Sequence, residues 1–126
     1  MSENPTELGD LERDVMQLVW AAGPMTSEAV RERLPRSLKE STVRTVLKRL
    51  EDKGFVTHSV DGRTYVFQAT EARREVAARA VRRIVDWLCN GSVEEVLVGM
   101  VDASLLDSAQ LRRLADKIAM AKQRRK

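Results

Sequence analysis

Apolar residues recur along the chain with a helical period almost from the start. Leu8, Leu11, Val15, Leu18, Val19 and Ala22 share one helix face, and Gly23-Pro24 closes that run. Thr26 then predicts an N-cap, with Met25 before it and Val30 four positions after it as a hydrophobic staple. The short helix it opens runs to about Leu34, where Pro35 ends it. A third helix is predicted over 40–53, stopping at Gly54. Its Val43, Val46, Leu47 and Leu50 fall within about 100° of each other on a 3.6-residue wheel, which makes them the buried face.

The period then changes. Phe55–Val60 and Arg63–Gln68 are β-rich runs around Asp61-Gly62, a strong short hairpin signal. A two-residue turn at Asp61-Gly62 would set His58 opposite Tyr65 and Val56 opposite Phe67. From Thr70 onward the helical period returns. A fourth helix over about 71–90 carries Ala77, Ala80, Val81, Ile84 and Leu88 on one face and ends at Gly91. Ser92 with Glu95, and Asp107 with Gln110, read as capping boxes for a fifth and a sixth helix, the latter stapled by Leu106 and Leu111. The sixth passes Leu114 and Ile118 into a solvated basic end, Lys122 to Lys126.

The expected fold is therefore mainly α: a winged helix-turn-helix of three helices plus a β-hairpin wing over 1–70, then a helical dimerisation region over 71–126. Three helices without a sheet to pack on cannot cover their own apolar faces, so a second copy is the expected cover. Val81, Ile84 and Leu88, then Val96, Leu97 and Met100, then Leu111, Leu114 and Ile118 are assigned to that contact. Gly99 lies inside the fifth-helix pattern, where glycine costs roughly 1 kcal/mol relative to alanine. It marks either a close helix approach or a kink.

Composition narrows the chemistry. Among 126 residues there are one cysteine, Cys89, and one histidine, His58, so neither a disulfide framework nor a Cys/His metal cage is expected. No apolar run approaches the roughly 20 residues of a membrane helix, and Met1 to Pro5 show no signal-peptide pattern, so a cytoplasmic protein is expected. No catalytic constellation, metal or cofactor site is expected either. No histidine accompanies a candidate nucleophile, and there is no glycine-rich phosphate loop. Cys89, beside Trp87 and Leu88, reads as a buried thiol, and Trp20 and Trp87 as core.

Charge is more informative by position than in total. The net charge is +3, but residues 1–34 sum to −4, residues 35–70 to +3 and residues 71–126 to +4. With its apolar face turned inward, the third helix presents Ser41, Thr45 and Lys48, flanked by Thr42, Arg44 and Arg49. Short hydroxyls let a helix approach a major groove closely, and arginine forks onto guanine O6 and N7. Glu51 and Asp52 come only at the far end of that helix. Arg63 stands at the wing tip beside a glycine, where a backbone phosphate can approach. His58 reads as a packing residue against Tyr65, with a phosphate contact or pH sensing as the other reading.

An ordinary solvated helix face, a winged-helix protein-docking module and a small-molecule-responsive regulator remain the other readings. Double-stranded DNA is the partner these residues favour.

Taken in order, Leu8-Gly9-Asp10-Leu11-Glu12, Val15-Met16, Val19-Trp20, Thr42-Val43, Thr45-Val46-Leu47, Arg49-Leu50, Lys53-Gly54, Gly62-Arg63, Tyr65 and Gly91-Ser92 resemble the penicillinase-repressor (BlaI/MecI) family across about residues 8–120. The resemblance implies a homodimeric winged-helix repressor that binds inverted-repeat operators through the third helix and the wing and dimerises through its C-terminal helices. It carries DNA contact to Ser41, Thr42, Arg44, Thr45, Arg49 and Arg63, whereas Lys48 comes from the helical wheel alone. Some family members are inactivated by cleavage of an Asn-Phe bond in the fifth helix, where Gly99-Met100 stands here. The copper-responsive branch has C-terminal Cys-x-Cys motifs, and this chain has only Cys89. The inducing partner, an upstream sensor protease or a ligand, stays open.

Overall fold

The computed structural model describes residues 7–124, so the readings of Met1 to Pro5 and of the last two residues of the basic end lie outside it. Among the described residues six helices and three strands follow one another. They are α1 (Asp10–Ala22), β1 (Met25–Thr26), α2 (Ser27–Arg33), α3 (Glu40–Asp52), β2 (Val56–Asp61), β3 (Thr64–Ala69), α4 (Arg73–Leu88), α5 (Val93–Asp102) and α6 (Ser108–Arg124). The chain divides into two units, residues 1–81 and 82–126, so the first runs past the residue-70 boundary read from sequence.

In the first unit the apolar periods converge on one core. Val15, Met16 and Val19 of α1, Val30 of α2, Val43, Val46, Leu47 and Leu50 of α3, and Val56 and Phe67 of the hairpin are all buried there. The whole predicted inward face of α3 is thus confirmed. Val76 of α4 joins this core, and Ala80 is buried as well. The sequence reading missed this Val76 side of α4; Val81, Ile84 and Leu88, which it assigned to a second copy, are 45%, 38% and 65% exposed within the chain. The helix is apolar on more than one side, and the core takes the Val76 side.

The local start signals behave as their chemistry dictates. Thr26 Oγ1 accepts from the Ala29 N–H at 3.1 Å, Ser92 Oγ accepts from the Glu95 N–H at 3.1 Å, and Asp107 and Gln110 cap each other reciprocally at 2.8 and 2.9 Å. The α5 helix runs through Gly99. Among the described residues, a Cβ placed there meets no atom within 4 Å outside its own helix backbone.

The hairpin differs from expectation by its turn. Asp61 pairs with Thr64 and His58 with Phe67, so the turn residues are Gly62 and Arg63 rather than Asp61 and Gly62. Only Gly62 has a positive φ, +65°, which is the pattern of a turn with glycine at its first central position. Met25 and Thr26 add a short third strand that the sequence pattern did not predict, pairing with Phe67 and Val66 to give the order β1-β3-β2. At the open end of the hairpin Thr70 donates to the Gly54 and Phe55 carbonyls, closing its base.

Trp87 is 84% exposed and Cys89 half-buried, so neither is the core residue expected. Trp20 is partly buried against the core and donates its Nε1–H to the Glu71 carbonyl at 3.0 Å.

One buried charge ties α1 to α3. Glu12 accepts from Lys53 Nζ and from the Gly9 N–H, each at 2.8 Å. Burial pushes its carboxyl up, but the bonds from Lys53 and Gly9 and the charges of Lys53 and Arg49 together hold it below its ordinary value. The unfolded chain therefore takes up the proton first on acidification. The stabilisation is complete above the ordinary carboxyl range and is lost as pH falls through the folded-state value. Glu12→Gln is expected to lower stability at neutral pH by about 1–3 kcal/mol and to flatten the acid limb of the stability curve. Denaturant melts taken across pH measure both effects, and an acid limb as steep as the parent's would refute this role.

Candidate nucleic-acid interface

Burial of one α3 face decides what the opposite face presents. Ser41, Arg44, Thr45, Lys48 and Arg49 are exposed and Thr42 is half-buried. Thr45 Oγ1 donates to the Ser41 carbonyl at 2.9 Å, one turn back, which spends its proton locally and leaves its lone pairs as acceptors. Arg44 donates to Glu40 Oε1 at 2.9 Å. An exposed pair of that kind contributes little to stability, so a phosphate or base can compete for the guanidinium. Four further N–H donors of Arg44 stay available in about the fork geometry that suits guanine.

Arg44 and Arg63 line the same cleft, about 440 Å³ in volume, although they lie on different elements. Its other walls include Thr26 and Ser27 at the start of α2, Glu40, and Thr64 and Tyr65 of β3. Lys48, Arg49 and Arg63 are held in no ion pair among the described residues. Arg49 lies elsewhere on α3: it is absent from the cleft wall, and its charge acts on Glu12. The cleft therefore brings Arg44 together with Arg63 of the wing, and Arg49 lies outside it.

Sequence reasoning missed Thr26, Ser27 and Thr64 as walls of this cleft. Thr26 was legible only as a helix cap, because its neighbourhood to Arg63 depends on β1 pairing with β3. The reading of His58 as packed against Tyr65 holds, with ring centroids 4.3 Å apart, but its link to α3 was missed. His58 Nδ1 in fact lies 2.6 Å from Glu51 Oε2 on α3.

Among the described residues no helix is long and apolar enough to cross a membrane, and no three His, Cys, Asp or Glu side chains are grouped to hold a metal ion. The nine apolar positions assigned to a second copy are exposed or half-buried within the chain. Val81, Ile84, Leu88, Leu97, Leu114 and Ile118 are the most open of them.

The sequence profile of the penicillinase repressor family matches residues 8–120. The transcriptional regulator BlaI of Mycobacterium tuberculosis is 37% identical over 114 residues, covering 87% of this chain and 83% of that protein. The penicillinase repressor of Bacillus licheniformis is 21% identical over 122 residues, 95% of each chain. The solution structure of the DNA-binding domain of the repressor BlaI superposes with a TM-score of 0.50 at 27% identity, covering 58% of this chain and 90% of that one. A transcriptional regulator from Thermotoga maritima shares the fold over 94% of this chain and 79% of its own, with a TM-score of 0.53 at 21% identity. The fold is that of winged-helix regulators. Over nearly its whole described length, the chain belongs to the penicillinase repressor family of transcriptional repressors.

Proposed function

We propose that the protein is a homodimeric, cytoplasmic transcriptional repressor that binds an inverted-repeat operator and leaves it on an inducing signal. The first unit carries the DNA contact, through α3 and the wing. The apolar positions of α4, α5 and α6 form the contact between two copies. The observation that carries the reading is the shared cleft of Arg44 and Arg63, a recognition-helix arginine and a wing-tip arginine on one surface. Ser41, Thr42, Thr45 and Lys48 surround that arginine along α3, and Arg49 makes a separate backbone contact. Two recognition helices in successive major grooves place the half-sites about one helical turn or more apart.

Selection from random double-stranded DNA at about 150 mM salt tests this reading. Enrichment of an inverted repeat is the expected result. No enrichment would leave a protein-docking module as the better account.

The two arginines have different expected signatures. Arg44→Ala is expected to cost about 1–3 kcal/mol in affinity and to relax the preference at one base pair. Arg63→Ala is expected to weaken binding evenly across sequences and to flatten the salt dependence by about one unit per protomer, as loss of one phosphate contact at each wing does. Titrations of a base-substitution panel over a salt series separate the two. Identical behaviour of the variants would refute this division of roles.

A further inference from the structure

The wing contains a side-chain cluster that its DNA contact does not itself use. His58 on β2 and Glu51 in the last turn of α3 are both about one-third exposed, at 29% and 31%, and Nδ1 of the histidine meets Oε2 of the glutamate at 2.6 Å. The imidazole also stacks on Tyr65, with ring centroids 4.3 Å apart and planes at 11°. Phe67, its cross-strand partner, meets it at 5.7 Å in a tilted arrangement. Tyr65 lies two residues beyond Arg63, and Glu51 lies two beyond Arg49. A path of direct side-chain contacts thus runs from the recognition helix to the neighbourhood of the wing tip.

The tip has little else to hold it. A two-stranded hairpin alone is marginally stable in water. Beyond His58 the inward-facing positions of the hairpin are Val60 and Tyr65, which are 60% and 52% exposed, so the core ends before the tip begins. The third strand, β1, supports β3 only at Val66 and Phe67. At the level of that support, since His58 pairs with Phe67, a side-chain link from β2 to α3 is the bond from His58 to Glu51, and the stack of His58 on Tyr65 reaches outward from it. A bond from an imidazole to a carboxylate is strong when charge-assisted. Ordering the wing before DNA arrives removes that ordering cost from the binding step.

We propose that Glu51 and His58 are positioning residues for DNA binding: their bond holds the wing at the angle at which Arg63 reaches a backbone phosphate while α3 occupies the groove. The proposal rests on α3 and the wing being the DNA interface.

The test is a double-mutant cycle on the full chain, read as DNA affinity over a salt series. Arg63→Ala alone is expected to lose about fivefold in affinity per protomer at about 0.15 M salt and about one unit of salt slope per protomer, the counterion effect of one phosphate at each wing. His58→Phe keeps an aromatic ring against Tyr65 but removes the bond to Glu51. It is expected to show the same loss and the same change of slope. The double variant is expected to bind no more than about twofold weaker than Arg63→Ala alone, because the two changes remove one contact. Glu51→Gln keeps the side-chain shape and is expected to repeat the slope change, which guards against a packing defect peculiar to the phenylalanine.

A merely structural pair would lower the melting temperature, leave the salt slope unchanged and preserve the full Arg63→Ala penalty in the His58→Phe background. That result overturns the proposal, as does an Arg63→Ala variant that binds like the parent. If the parent itself binds no DNA specifically, the interface reading falls and the proposal falls with it. Specific binding by the parent with an undiminished Arg63 penalty removes the positioning role alone.

Discussion

Leu97→Glu is expected to leave the protein folded but monomeric, with operator affinity lowered by about 10²–10⁴-fold. Leu97 is 39% exposed on α5, so the carboxylate reaches water in a single copy and costs the fold little. Other apolar positions of this unit are open as well: Leu88 on α4, Val98 and Val101 on α5, Leu105 in the link between α5 and α6, and Ile118 on α6, at 65%, 53%, 39%, 65% and 57% exposure. Large exposed apolar surface marks an interaction site, and burying an unpaired carboxylate in one is costly. The affinity loss follows from valency. Once one recognition helix is bound, the second binds as if at a high local concentration, and that gain disappears with the dimer. Sedimentation reports the oligomeric state, and titration of a full repeat against an isolated half-site reports the coupling. A variant that stays dimeric would show that the contact between copies lies elsewhere.

The sequence showed some parts of this design and concealed others for definite physical reasons. The inward face of α3 was legible because Val43, Val46, Leu47 and Leu50 follow one period without interruption, and all four are buried. The caps at Thr26, Ser92 and Asp107 were legible because each is a bond between residues three apart. The hairpin register was not legible. Moving the turn from Asp61-Gly62 to Gly62-Arg63 shifts the pairing by two residues and leaves every side chain on its face, so alternation cannot choose between the two. The backbone chose, since glycine takes a positive φ at the first turn position without strain. The α4 face was half legible, because an apolar pattern does not say which side of a helix its own core will take. The Glu51–His58 bond joins a helix to a strand across a reversal of the chain, and no local period reports such a contact.

Leu47→Ala is expected to destabilise the protein by about 2–5 kcal/mol, the cost of the lost methylenes plus the cavity they leave. Leu47 has no exposed surface and sits in the core that α1, α2, α3 and the hairpin share. Urea melts are expected to show a lower midpoint with an unchanged slope, since the surface exposed on unfolding hardly changes. A loss under about 1 kcal/mol would mean that the core collapses into the space and that Leu47 does not hold α3 in place. The same burial also decides which residues α3 offers to the proposed DNA contact, because its outward set is the complement of its inward set. Leu47→Ala and Arg44→Ala should therefore part cleanly. The core variant lowers the midpoint and keeps the base preference of the folded protein. The surface variant changes the base preference and hardly moves the midpoint, since it gives up only the exposed pair with Glu40. A changed base preference in Leu47→Ala would instead mean that the cavity lets the recognition helix turn, and that tight packing beneath α3 is itself a determinant of specificity.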